Sequence, residues 1–311
     1  MPASHRFILI VATLSFFSAA QKSFAVISDD DGRIESFQAS TPMLQKMADS
    51  TVALIYKKDF REMFGSVHLK KLETLGEARG ACKTERFVSQ PTNAFCSGAL
   101  VGPDLVLTAG HCLTGELTGD VPFCRKHIKF VFGYQMNSDQ KTVRSIPTSE
   151  VYDCENIVTI SADIQSNDHY YDFALVKLTR KVTNHQPLLI DRSGVLADLN
   201  TKLTMIGYPN GIPQKIDLGG TVKTSLASQP FFVANLDSIG GNSGSPIFDE
   251  KSGLIIGVLG GKVITKRNSG DMDYIATGDL SCTVENRVAS SNTLGDLVTR
   301  ISEITSSIPS L

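Results

Sequence analysis

Gly240-Gly241-Asn242-Ser243-Gly244-Ser245-Pro246 is a glycine-rich loop with a serine at its centre. Two other segments carry groups that chemistry can use beside it. Leu107-Thr108-Ala109-Gly110-His111-Cys112 ends an apolar run on a histidine, and Tyr171-Asp172-Phe173-Ala174-Leu175-Val176-Lys177-Leu178 opens an apolar run with an acid. Along the chain they follow the order His, Asp, Ser. A serine hydroxyl is a weak nucleophile at neutral pH and needs an adjacent base. A histidine can take that proton and return it to a leaving group. A buried carboxylate holds the imidazole in one tautomer and steadies its charged form. Glycines beside the serine let backbone N–H groups converge on a developing oxyanion, each contributing about 3 kcal/mol. The donors expected are the N–H groups of Gly241 and Ser243.

Around these segments the chain reads as short strands rich in Val, Ile, Leu and Phe. The expected strands are Thr51–Tyr56, Ser97–Val101, Leu105–Thr108, Ile128–Gly133, Phe173–Leu178, Lys202–Ile206, Thr221–Leu226, Phe231–Asn235, Pro246–Phe248 and Leu254–Leu259. Turn signals such as Gly102-Pro103-Asp104 and Pro209-Asn210-Gly211 separate them. Many short strands with such breaks point to barrels or sandwiches. Leu294, Leu297, Val298, Ile301 and Ile304 recur at helical spacing after Asn292, which predicts an amphipathic C-terminal α-helix over Thr293–Thr305. Lys58 to Ala78 is polar and mixed in charge, and reads as a partly helical surface insertion.

The chain has 311 residues, 30 Lys+Arg against 32 Asp+Glu, and 41% hydrophobic residues, which excludes a disordered chain. The near-neutral charge speaks against nucleic-acid binding, which needs a basic surface. Arg6 followed by the apolar run Phe7–Phe17 and small residues has the order of a secretory signal, expected to span residues 1–25 with the cut after Ala25. The apolar run is shorter than the ~20 residues of a membrane helix, so no membrane association is expected after cleavage. Loss of Arg6 and Lys22 would leave 28 basic against 32 acidic residues. An exported chain with six cysteines suits full disulfide pairing. No C-x-x-C pair is present, so neither a metal nor any other cofactor is expected. Asp29, Asp30 and Asp31 match no calcium loop and read as solvated, as do His68, His127 and His185; Asp168 and His169 read as exposed loop residues.

The segments Thr108–Cys112, Asp172–Leu178 and Gly240–Pro246, taken together and in this order, resemble the trypsin/chymotrypsin-fold serine peptidases. Gly207-Tyr208-Pro209 and Asp29–Arg33 are more similar to the secreted bacterial branch that includes the staphylococcal glutamyl endopeptidase. The resemblance covers about Val26 to Ile304 and is weakest over residues 58–90. It implies an all-β fold of two six-stranded antiparallel β-barrels. Residues 26–183 would hold an N-terminal segment and the first barrel, with the insertion at 58–90, and residues 184–311 the second barrel with the C-terminal helix. It implies His111 as base, Asp172 as orienting acid, Ser243 as nucleophile, and a Cys96–Cys112 bridge. Cys124–Cys154 and Cys82–Cys282 are the preferred pairs among the rest. The resemblance places Asp237 and Ser238 at the base of the primary specificity pocket, which suits Arg or Lys before the scissile bond. Leu259 stands where glutamyl relatives have a histidine. Asn242 replaces the aspartate that receives a new N-terminus in animal trypsins, so that activation switch is not expected.

The expectation is a secreted, monomeric serine endopeptidase acting on protein or peptide substrates. A catalytically silent binding protein on the same fold and a glutamyl specificity stay open as alternatives. An α/β-hydrolase esterase does not fit, because Ser245 breaks G-x-S-x-G and the residue order is wrong. Terminal sequencing of exported protein should find Val26 first. A start beyond Arg33 would reveal a propeptide instead.

Overall fold

A computed structural model describes residues 27–28, 31–63, 65–70, 73–114, 121–142, 145–166, 169–262, 273–278, 281–288 and 295–310. The expected signal segment, Asp29, Asp30 and Asp168 lie outside them. The chain enters through β1 (Ile27–Ser28), β2 (Arg33–Glu35) and α1 (Pro42–Asp49), whose first turn is capped by the Thr41 hydroxyl. Then come β3 (Thr51–Tyr56), β4 (Phe60–Met63), β5 (Ser66–Leu69) and α2 (Leu75–Arg79). They are followed by β6 (Ala94–Gly102), β7 (Leu105–Thr108), α3 (Val121–His127), β8 (Ile128–Val131), β9 (Ser145–Pro147), β10 (Val151–Ser166) and β11 (His169–Leu178). β3, β6, β7, β11, β10 and β8 pair in that order and close into an antiparallel barrel.

Residues 179–201 lead to β12 (Lys202–Gly207), β13 (Lys215–Thr224), β14 (Phe231–Asn235), β15 (Pro246–Asp249) and β16 (Ile255–Lys262). β17 (Tyr274–Ala276), β18 (Thr283–Glu285), β19 (Arg287–Val288) and β20 (Asp296–Arg300) complete the chain. β12, β15, β16, β20, β14 and β13 form the second six-stranded ring, and β2 adds to the edge of β13. The architecture is the expected double barrel. Among the described residues no helix is long and apolar enough to cross a membrane.

The apolar runs have a simple cause. Val106, Leu100, Ala174 and Val176 point into the first barrel. Their neighbours Leu105, Leu107, Ala99, Val101, Phe173 and Leu175 pack with Ile206, Ile216, Phe248 and Val258 of the second. These strands bury both faces, so their sequences are nearly continuous in hydrophobicity rather than alternating.

Four expectations need correction. The C-terminal segment is not an α-helix: Asp296–Arg300 is strand β20, every residue of it buried, followed by 3-10 turns at Ile301–Glu303 and Thr305–Ser307. Its helical spacing is coincidental, because a strand held between β14 and β16 needs apolar residues on both faces. The insertion holds a β4–β5 hairpin, extended by β9, besides α2. Asp31 is buried and ion-paired with Arg33, Arg86 and Arg287. His185 is buried too, stacked on Phe132 and bonded to Asp49 at 2.9 Å and Glu150 at 2.6 Å. Burial opposes its charge, but the two carboxylates outweigh it and raise its pKa.

Arg33, 1% exposed, is the hub of the N-terminal strap. It donates to Asp31 Oδ1 at 2.7 Å and Glu285 Oε2 at 2.7 Å. Burial works against the Asp31 charge, yet the guanidinium groups hold its pKa at about 2. Replacing Arg33 by Met leaves two buried carboxylates short of a partner. It should cost about 3 kcal/mol, the low end for a broken buried pair, because Arg86 and Arg287 remain. A carboxyl with a lowered folded pKa stabilises above its unfolded value of 3.8 and loses that contribution as pH falls towards about 2. Urea titrations at pH 7 and pH 3 should show a larger deficit for the variant at pH 7.

Candidate active site

His111 lies in the 3-10 turn Gly110–Cys112 that follows β7. Gly110 is required there: a Cβ would sit 1.9 Å from the Ser161 carbonyl of β10. That close approach lowers the turn onto β11, where Asp172 is fully buried. Asp172 Oδ2 lies 2.6 Å from His111 Nδ1, and Oδ1 accepts the His111 backbone N–H at 3.0 Å. Tyr170 donates its hydroxyl to Oδ2 at 3.2 Å, and burial followed by the Asp172 charge raises the Tyr170 pKa, so it stays a donor. Thr299 of β20 accepts from the Asp172 N–H at 3.2 Å and donates to its carbonyl at 3.1 Å. The acid is therefore held by both barrels.

Ser243 sits in the loop between β14 and β15, half-buried. Cys112 Sγ lies 3.9 Å from His111 Nε2 and 3.7 Å from the Ser243 carbonyl, so His111 and Ser243 flank one sulfur of the Cys96–Cys112 bridge. Ser97 of β6 donates its N–H to the Ser243 carbonyl at 2.8 Å and its hydroxyl to the Gly241 carbonyl at 2.9 Å. Within the loop the N–H groups of Gly240, Asn242, Gly244 and Ser245 are all engaged, by Asp273, Ile239, Leu259 and Asn242 respectively. Among the described residues those of Gly241 and Ser243 have no backbone or side-chain acceptor. The Gly240 carbonyl accepts from the Asn210 N–H at 2.5 Å. Gly241 has φ +93, and a Cβ on it would meet the Tyr208 carbonyl at 2.4 Å.

The other expected site residues lie deeper. Asp237 is buried, its Oδ2 accepting from the Gly32 N–H at 2.9 Å and its own N–H donating to Asp217 at 2.9 Å. Ser238 donates its hydroxyl to Asp296 of β20, and Leu259 is in the second barrel's core. Burial, followed by the neighbouring Asp237, pushes the Asp217 pKa well up, and burial raises Asp296 to about 7. Asn242 is 1% exposed, against Gly207. Cys82 is bonded to Cys282 and Cys124 to Cys154. Among the described residues the one compact group of potential metal ligands is Cys96, His111 and Cys112, and its sulfurs are bonded to each other. Sequence reading missed Ser97, Tyr170, Thr299 and Asp296. For Ser97 a signal existed: a polar residue between Cys96 and Gly98 in an otherwise apolar strand. Tyr170 lies two residues before Asp172, while Thr299 and Asp296 lie 127 and 58 residues from their partners, so for these two no local signal existed.

The chain belongs to the trypsin-like peptidase domain family, whose model matches residues 96–258, more than half of its length. It is 23% identical over 157 residues to a glutamyl endopeptidase of Bacillus licheniformis, covering 50% of this chain and 46% of that one. It is 27% identical over 187 residues to a glutamyl endopeptidase of Staphylococcus aureus, covering 58% and 47%. The matched stretches thus span about half the length of these relatives. The VesB protease of Vibrio cholerae shares the fold, with a TM-score of 0.51, 14% identity, and coverage of 89% of this chain and 66% of that one.

Gly241→Ala should displace one of the two unengaged N–H groups, since a methyl there meets backbone. Labelling of Ser243 by a fluorophosphonate is expected to slow about 10²-fold or more. A labelling rate equal to that of the unsubstituted protein would show that this N–H is not used.

Proposed function

We propose that the protein is an exported serine endopeptidase that hydrolyses peptide bonds through Ser243, His111 and Asp172. The observation that carries this reading is the pair of unengaged N–H groups, Gly241 and Ser243, beside a histidine bonded at 2.6 Å to a fully buried carboxylate. Asp172 fixes Nδ1–H, leaving Nε2 to take the Ser243 proton. The serine oxygen attacks the carbonyl carbon, and the resulting oxyanion lies between the two N–H groups. His111 then protonates the leaving amine, and water repeats the sequence on the acyl-enzyme. Three bridges among six cysteines support export to an oxidising compartment. The chain is proposed to work as a monomer.

For specificity, two readings compete. The curated relatives are named glutamyl endopeptidases, which favours cleavage after Glu. The wall expected to contact that side chain argues otherwise, because Asp237, Asp296 and Asp217 are all carboxylates and all buried. Burial weakens the charge on Asp217 and Asp296, yet a wall of carboxyl groups still offers oxygen acceptors to Arg or Lys and none of the three offers a cation to a glutamate. Leu259 offers no cation to a glutamate. The Gly32 N–H donates to Asp237 Oδ2 at 2.9 Å and so orients the carboxylate. Cleavage after Arg or Lys is the reading adopted.

Sequencing the products of a denatured-protein digest tests both levels. Cuts after Arg and Lys are expected, abolished by Asp237→Ser, which should leave Ser243 reactive to a small acylating reagent. Cuts mainly after Glu would overturn the specificity alone. Ser243→Ala should lower turnover by about 10⁴- to 10⁶-fold, and near-normal amidase activity in that variant would overturn the nucleophile.

A further inference from the structure

Beyond His111, on the side away from the second barrel, the surface opens into a cavity of about 720 Å³. Its walls belong entirely to the first barrel and α3. The Cys96–Cys112 bridge and His111 form one end. Tyr56 and Phe95, stacked at 4.2 Å, supply an aromatic surface, and Phe123 of α3 adds a third ring. α3 is held in place by the Cys124–Cys154 bridge to β10.

Among the described residues, the charges that line this cavity are of one sign. Lys57, Lys58, Lys126 and His127 line it, and among the described residues no acidic side chain does. Lys57 is neutralised by Asp153 at 2.5 Å, an acid that Lys129 shares at 2.9 Å. Lys58 is exposed, its ammonium 5.2 Å from the centroid of the Tyr56 ring. Lys126 is exposed, with no ion-pair partner among the described residues. Asp59, which feels Lys58 and Lys70, does not line the cavity.

The position decides what could enter. The residues expected to contact the acyl side of a substrate, Asp237, Ser238 and Leu259, are in the second barrel and none of them lines this cavity. The departing amine must lie within reach of His111 Nε2, which returns the proton to it. That nitrogen is 3.9 Å from Cys112 Sγ, at the cavity's end. The chain that follows the scissile bond would therefore run over the disulfide and onto the stacked rings, between Lys58 and Lys126.

We propose that this cavity holds the first residues after the scissile bond and selects acidic side chains among them. The inference rests on the peptidase reading and adds a second level of selection, on the leaving group. Aromatic faces give such residues an apolar seat for their methylenes, and the exposed Lys58 and Lys126 ammonium groups, in no salt bridge among the described residues, give their carboxylates a counter-charge.

The test uses internally quenched peptides with a mixed acyl side and Asp-Glu, Ala-Ala or Lys-Lys as the two residues after the cut. Active sites are counted by fluorophosphonate titration. The acidic peptides should show kcat/KM about three- to tenfold above the alanine set, the scale of one or two exposed charge contacts, with the lysine set lowest. Lys58→Glu combined with Lys126→Glu should invert that order per active site. Equal values for the three sets, in an enzyme that turns over a small chromogenic ester, would overturn the subsite and leave the peptidase reading intact. So would an acidic preference that survives the double reversal. An enzyme that hydrolyses neither ester nor peptides would overturn the peptidase reading and the subsite with it.

Discussion

Ser97 is the residue through which one barrel holds the Ser243 loop of the other. It is fully buried on β6, its N–H donating to the Ser243 carbonyl and its hydroxyl to the Gly241 carbonyl. The same hydroxyl accepts from the Tyr208 N–H at 3.0 Å. With these carbonyls held by Ser97 and the Gly240 carbonyl held by the Asn210 N–H, the loop is fixed in a conformation that leaves the Gly241 and Ser243 N–H groups without an acceptor among the described residues. A loop in a folded protein has backbone groups that must be satisfied somewhere. Here they are satisfied from the first barrel, so the shape of the loop is defined only when both barrels are docked.

The docking itself comes from the apolar layer between the barrels, and it leaves a division of labour. The first barrel carries His111 and Asp172. The second carries Ser243 and the buried acids Asp217, Asp237 and Asp296. Thr299 crosses back to grip both backbone groups of Asp172. Each half therefore carries groups whose geometry the other half completes, and the site lies at the seam because only there can both contribute.

Much of this was legible in the chain. The double barrel could be read because the strands that meet at the seam bury both faces and announce themselves as apolar runs closed by turn residues. The segments bearing His111, Asp172 and Ser243 were legible because each needs a local pattern, with Gly110 and Gly241 demanded by close backbone contacts. β10 was not foreseen: half of its 16 residues are polar, and long-range pairing with β11 and β8 stabilises it. β20 was read as a helix because a fully buried strand has no period of its own. The burial of Asp31 and His185 could not be read either, since apart from Arg33 their partners lie far off along the chain, at Arg86, Arg287, Asp49 and Glu150. Local chemistry is written locally, whereas charge pairing across the fold is not.

The three bridges differ in span, with separations of 16, 30 and 200 residues. That difference sets a timetable. As the chain emerges from its N-terminus, Cys96 can meet Cys112, and Cys124 can meet Cys154, while the second barrel does not yet exist. Cys82 leads them all out and has no native partner until almost the last strand has appeared. Throughout that interval it is a nucleophile among four sulfurs that belong to one another. Correct oxidation therefore depends either on holding Cys82 reduced or on a catalyst that reshuffles its mistakes, so the maturation of this fold is tied to the thiol chemistry of the place where it folds.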